Sequence, residues 1–534
     1  MSRRLSHSAL ALTLSLVLCA VHPAWTQSLD ELGELFGESE GEDAKADDGA
    51  PDDPAATDEE SLDPFGTSES DPGAAPAQTP EEQQAQVEKF LRETKALMES
   101  GKYAEAISEY SKVLSQQPGA YNLEIERARC FVLLKEPDLA LQSFQRAIDY
   151  GSTDTPFLAT AYAERADVLL NQQRYEEALT DAEAALRENP ADPKVLYVRG
   201  KALARIGQIA GAQGGADYVN RAVTSLSRSI EGNAEYAAAF AERALAYAAL
   251  QEYDLAVKDI EKACELEPDN LNYIGRLGLL RGGRANYEKN RFDADMPQVI
   301  KDYRNAIQQF EVFLDKEKGK TREAYRDADR ETITPALVYQ QLAEAKIALG
   351  SELSGPAQQQ LWREAVTHCD EALVFDERSA AALYQKGVAL RMLGDFEGAI
   401  EAFSNSFELI PDQETLLRRG IAWFHLGESV RAREDFMQSL EGAATVDGRA
   451  KFWIGATYAQ EARFWEAIRY YSEALKQNPE YKPAYNNRAL AYLQVDEYRR
   501  AANDFEELVR RDRKDSVAVQ RRDQAVHMAD SYGQ

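Results

Sequence analysis

The stretch Ala237–Pro268, AAAFAERALAYAALQEYDLAVKDIEKACELEP, decides how the rest of the chain is read. Phe240, Arg243, Ala244, Tyr247 and Ala248 recur at three- and four-residue spacing, which sets them on one face of a helix. Past Gln251-Glu252, Ala256, Ile260, Ala263 and Cys264 repeat that spacing. Pro268 then stops the second helix, because proline has no N–H to donate and its ring blocks the preceding turn. A single pair of this kind leaves apolar surface uncovered. It needs neighbours like itself.

The sequence supplies them. With Ala237 as repeat position 1, Ala256 is position 20, and alanines in that setting recur at 106, 140, 178, 222, 256, 306, 365, 399, 432, 467 and 501. Position 8 is small in every copy: Thr94, Ala128, Ala166, Gly200, Ala244, Gly278, Ala343, Gly387, Gly420, Gly455 and Ala489. Position 24 is mostly large and apolar, from Tyr110 and Phe144 to Tyr471 and Phe505, with Ala182 and Cys369 smaller. Small residues at 8 and 20 let helices approach closely, and the large residue at 24 fills the space beside them. This pattern resembles the tetratricopeptide repeat (TPR), a helix–turn–helix unit with a small residue at 8, Ala at 20, an aromatic at 24 and Pro at 32. The resemblance covers about residues 87–513 in eleven copies. It implies an all-α fold, an α-solenoid of stacked repeats. One departure is position 7, usually apolar in the family and often Arg here.

The expected organisation has six parts. Residues 1–26 read as a signal peptide: Arg3 and Arg4 precede an apolar run from Ala9 to Ala20, too short for a comfortable membrane span, with cleavage expected before Gln27. Cys19 leaves a lipid-anchored alternative open, and retention of an uncleaved signal is another. Residues 27–86 form an acidic linker; 28–80 holds seventeen acidic residues against Lys45 alone, cannot bury a core, and is expected to be disordered. Within it Leu29, Leu32, Leu35 and Phe36 have helical spacing and suit docking on a partner. Repeats one to five occupy 87–270, an irregular region with insertions 271–379, and repeats eight to eleven 380–513; a polar capping helix is expected in 514–534. The glycines Gly207, Gly211, Gly214 and Gly215 read as a flexible insertion, and Gly275, Gly278, Gly282 and Gly283 as weakening the first helix of repeat six. A bend or loosened stacking is expected near 271–362.

Chemistry leaves no trace in the sequence. His368, His425 and His527 lie far apart without matched ligand spacing, and no phosphate-binding GxxxxGK[ST] loop exists. Cys264 and Cys369 fall on packing positions and read as buried small residues. The reading is therefore a non-enzyme without cofactor or metal. A net charge of −30 argues against nucleic acid, whose binding rests on Lys and Arg neutralising phosphates. The family's chaperone-binding subclass carries Lys at position 5 and Asn at 9 to clamp a terminal carboxylate. No copy here has that Lys, so that ligand class is not expected.

Two functions fit. The first, implied by the resemblance, is an exported, periplasmic or secreted scaffold that binds a peptide segment of another protein in the concave groove of the solenoid. The alternative is an assembly or export factor for an envelope polymer such as a polysaccharide. In the family, first-helix positions 2, 5, 9 and 12 face the groove. On those positions repeats eight to ten carry Tyr384, Val388, Leu417, Ile421, Phe424 and Phe452, with Arg391 and His425 to orient polar groups. These are the expected peptide-binding residues; neighbouring repeats covering them as extra core is the competing account. Lys194, Tyr197 and Lys201 of repeat four form a secondary basic patch suited to an acidic segment. Finally, Arg at position 7 accompanies Asp at 23 in four repeats: Arg165 with Asp181, Arg243 with Asp259, Arg419 with Asp435, and Arg488 with Asp504. Both positions lie eight residues from the turn, so antiparallel helices set them level and salt bridges are expected.

Overall fold

A computed structural model describes residues 80–533 except 118, 152–154, 212–213, 292, 326–330, 442–447 and 514. The signal, most of the acidic linker and its Leu29–Phe36 motif lie outside the described residues. Those residues form twenty-three α-helices and no strand. In repeat order they pair as α1 (Pro80–Glu99) with α2 (Tyr103–Gln116), α3 (Tyr121–Leu133) with α4 (Pro137–Tyr150), and α5 (Thr155–Asn171) with α6 (Tyr175–Glu188). Then come α7 (Pro193–Ala210) with α8 (Gly215–Gly232), α9 (Ala237–Ala249) with α10 (Tyr253–Leu266), and α11 (Leu271–Lys289) with α12 (Met296–Lys316). The next pairs are α13 (Pro335–Ser351) with α14 (Pro356–Phe375), α15 (Ala380–Leu393) with α16 (Phe396–Leu409), and α17 (Gln413–His425) with α18 (Ser429–Gln438). After them follow α19 (Arg449–Gln460) with α20 (Phe464–Gln477), α21 (Lys482–Gln494) with α22 (Tyr498–Arg511), and the unpaired α23 (Ser516–Ser531).

Two compact units result, divided between Gly232 and Asn233. Within the first, α1 to α8 each pack on the next; within the second, α9 to α23 do the same, the 271–362 stretch included.

One turn geometry recurs. Position 15 is left-handed in eight repeats: Gly101, Lys135, Gln173, Gln251, Gly394, Gly427, Ala462 and Asp496, with φ between 59° and 85°. The next N–H reaches back five residues to close the helix, as in Glu136 N to Phe131 O at 2.9 Å and Arg463 N to Tyr458 O at 2.9 Å. This satisfies carbonyls that the helix end would leave bare and aims the chain into the second helix. The three repeats without it are those with extra residues between their helices.

Packing follows the position 8 and 24 pattern. Phe144, Ile260, Phe403, Phe436, Tyr471 and Phe505 at position 24 are buried. A methyl group added at Gly420 would come within 2.6 Å of the Phe436 ring, and one at Gly387 within 2.7 Å of Phe403. Position 8 is small because the ring from position 24 lies against it.

The glycine-rich segments differ from expectation. In repeat four the extra residues lengthen α7 and α8, and a Cβ on Gly215 would lie 2.2 Å from the Gly207 carbonyl oxygen. Gly207 and Gly215 are a close helix contact; only Gly211 and Gly214 serve the turn, at φ +58° and +145°. Helix α11 runs unbroken from Leu271 to Lys289, with Gly275 under Ile333 and Gly278 under Phe310. Its glycines admit neighbouring side chains, and that packing offsets their poor helix propensity.

Candidate functional site

The face considered is built by the first helices of repeats eight to ten, α15, α17 and α19, which touch one another in sequence. The expected residues divide into two sets. Leu417, Ile421 and Phe452 are buried core: Leu417 and Ile421 pack with Phe436 and Ile454, and Phe452 packs against Tyr471 and Tyr481 with ring centroids 5.6 and 5.2 Å away. Neighbouring repeats cover these three, so they offer nothing to a ligand. Tyr384, Val388, Arg391 and Phe424 are half-buried, and His425 is exposed. Tyr384 meets Phe403 edge-on at 5.8 Å, and Phe424 meets Trp453 edge-on at 5.2 Å. His425 lies flat on Phe396, centroids 4.9 Å apart and planes within 9°.

Sequence reasoning missed Trp453, at position 6, and two arginines. Arg418 donates from Nε to Glu414 Oε1 at 2.8 Å, while Arg449 donates to both oxygens of the same carboxylate at 2.9 and 3.1 Å. Arg418 also stands close enough to the Tyr384 hydroxyl for its charge to act on it. Glu414 and Arg449 occupy position 2, one of the four groove positions, whereas Arg418 and Trp453 share position 6, outside them. Arg391 differs from its neighbours. Its Nε is buried without an acceptor, its Nη2 meets only the Met392 sulfur at 3.4 Å, and no carboxylate among the described residues pairs with it. Burial, then the charge of Arg418, holds its pKa below the usual arginine value.

The other expected residues are placed as follows. Lys194 is exposed, Tyr197 packs on the core around Ala166 and Leu169, and Lys201 lies near enough to Asp167 to counter the burial that raises that carboxyl's pKa. That patch is partly neutralised from within. All four Arg–Asp pairs are two-pronged: Arg165 to Asp181 at 2.6 and 2.8 Å, Arg243 to Asp259 at 2.6 and 2.9 Å, Arg419 to Asp435 at 2.8 and 2.7 Å, and Arg488 to Asp504 at 2.8 and 2.7 Å. Three of these arginines also reach position 25 of the preceding repeat: Gln145, Ser404 at 3.2 Å and Ser472 at 2.9 Å. One guanidinium therefore ties three helices. Cys130, Cys264 and Cys369 are free thiols whose pKa burial pushes up to about 11, 11 and 12, which keeps them protonated and unreactive. No helix among the described residues is long and apolar enough to cross a membrane.

Two sequence profiles, both described as Tetratricopeptide repeat, match this chain, one at residues 91–155, 164–213 and 357–413, the other at 237–270 and 483–515. These segments of the chain are tetratricopeptide repeats. Among curated relatives, this TPR chain is 33% identical over 122 residues to Hsp70-Hsp90 organizing protein 1 of Arabidopsis thaliana, a match spanning 22% of this chain and 20% of that protein. Against organizing protein 3 of the same plant the match spans 28% of the relative. DnaJ homolog subfamily C member 3 of Rattus norvegicus is 23% identical over 446 residues, 79% of this chain and 85% of the relative. Similar solved structures include yeast Tom70, at 13% identity and a TM-score of 0.36, covering 84% of this chain and 97% of that one. A TPR protein of Parabacteroides merdae gives 17% identity and a TM-score of 0.37, covering 57% and 98%. A TPR array is a scaffold for protein interactions, and this chain carries that architecture.

Proposed function

We propose that this TPR protein is an exported interaction scaffold that holds a peptide segment of its partner against α15, α17 and α19. The observation supporting this reading is the half-buried aromatic and aliphatic surface of Tyr384, Val388, Phe424 and Trp453, with polar groups beside it. Such a surface suits an apolar peptide, whose side chains would complete the burial that the repeats leave unfinished. Export rests on the basic and apolar start of the chain; amino-terminal sequencing of the mature protein should begin at Gln27, and an intact Met1 would remove it.

Core and surface aromatics separate in a simple test. Phe424→Ala should abolish partner capture from an envelope fraction while helicity by circular dichroism stays at the wild-type level. Phe452→Ala, by contrast, should cost about 3–5 kcal/mol of stability by opening a cavity. Undiminished capture by Phe424→Ala would place the binding surface elsewhere.

A further inference from the structure

The protein carries a net charge of −30, yet three arginines, Arg391, Arg418 and Arg449, stand on the helices of the face just described, the last two on one carboxylate. Glu414 alone takes both Arg418 and Arg449. Asp412, at the start of α17, is engaged in capping that helix through the Thr415 N–H at 2.9 Å. Arg391 is left over. Removing a guanidinium from water without a compensating acceptor is costly, and elsewhere in the array that cost is avoided: Arg165, Arg243, Arg419 and Arg488 each hold an aspartate. On the same face stand Val388, one turn back on α15, and the imidazole of His425, near enough for Arg391 to act on it and 5.7 Å from the Phe424 ring.

Resting on the peptide-binding reading above, we propose that the partner segment carries an aspartate or glutamate beside an apolar residue, and that its carboxylate pairs with Arg391. A guanidinium presents parallel N–H donors that match a carboxylate, and a low-dielectric setting strengthens the pair. The apolar residue of the segment lies against Phe424 and Val388. Arg391 is thus a specificity residue whose energy is realised only on binding. It weakens the free protein and anchors the ligand.

The test pans the full chain against a displayed library of random dodecapeptides. Wild-type protein should enrich sequences with Asp or Glu next to a large apolar residue. For a selected peptide, fluorescence anisotropy should show affinity falling about 30-fold on Arg391→Gln and similarly when the peptide carboxylate becomes an amide. Making both changes together should cost little more than either alone, the signature of a direct pair. Arg391→Met should bind as weakly yet melt at or above the wild-type temperature; a clear fall in Tm would make Arg391 a structural residue and overturn the proposal. Enrichment without acidic residues, or affinity indifferent to Arg391→Gln but sensitive to Phe424→Ala, would remove the carboxylate and leave the peptide surface standing. Peptides indifferent to both substitutions, or no enrichment at all, would overturn the binding reading itself.

Discussion

Arg419 shows how much depends on which half of a pair is removed. Its side chain is 20% exposed and that of Asp435 8%, so solvent screens the pair only weakly. Asp435→Ala leaves a half-buried guanidinium without its anion and should lower local stability by about 3 kcal/mol. Arg419→Met combined with Asp435→Leu removes both charges and should come back to near the wild-type value. Amide exchange of α17 and α18 reads this directly, and equal losses in the single and double variants would show that the pair acts through packing alone. The pair was legible in the sequence because positions 7 and 23 sit at equal distance from the turn. The contact to position 25 was not. That position belongs to the preceding repeat and holds Gln145, Ser404 or Ser472, three residues with no common chemical signature beyond an acceptor oxygen.

At the scale of the helix pair, the turn residue carries an unclaimed gain. Ala462 closes repeat ten at φ +59°, where its Cβ crowds the backbone; Gly427 fills the equivalent place in repeat nine at φ +81°. Ala462→Gly should stabilise repeat ten by about 1 kcal/mol, and Gly427→Ala should cost about as much. Opposite shifts in amide exchange at the two turns would check this, and shifts of the same sign would sink it. Sequence alone could not reveal the shared geometry, because Lys135, Gln173, Gln251, Ala462 and Asp496 adopt it without being glycine. Repeat seven breaks the Arg–Asp pattern, with Leu342 at position 7 and His368 at 23. Neither nitrogen of His368 has a hydrogen-bond partner, and burial, then the Lys346 ammonium, pushes its pKa down to about 4. A base whose folded pKa is lowered binds its proton more readily when unfolded, so stability is full above about pH 6.5 and falls as pH drops toward 4. His368→Leu should flatten that acid loss in α13 and α14. Parallel pH profiles for the variant and the wild type would show that other groups govern it.

Over the molecule as a whole, the sequence made the repeat count and phase legible, since Ala at position 20 and a large residue at 24 leave one-letter marks. It did not separate surface from core at the groove positions. Leu417 and Phe424 look alike as letters, yet one lies under a neighbouring repeat and the other faces outward. That distinction belongs to inter-repeat packing, which no single repeat encodes. The same nearest-neighbour logic governs the end of the array. Helix α23 lays Ala518 and Ala525 against Ala502, Phe505 and Leu508 of repeat eleven. Ending the chain at Asp512 would bare those residues, and losing the burial of a Phe and a Leu costs repeat eleven about 3 kcal/mol or more. In a solenoid each repeat feels chiefly its neighbours, so amide protection in α21 and α22 should fall by about a hundredfold. The loss should be smaller in α19 and α20 and absent in α15 and α16. If protection instead falls evenly from Ala237 to Arg511, the second unit unfolds as one body, and the stability of the binding face is set by the cap as much as by its own helices.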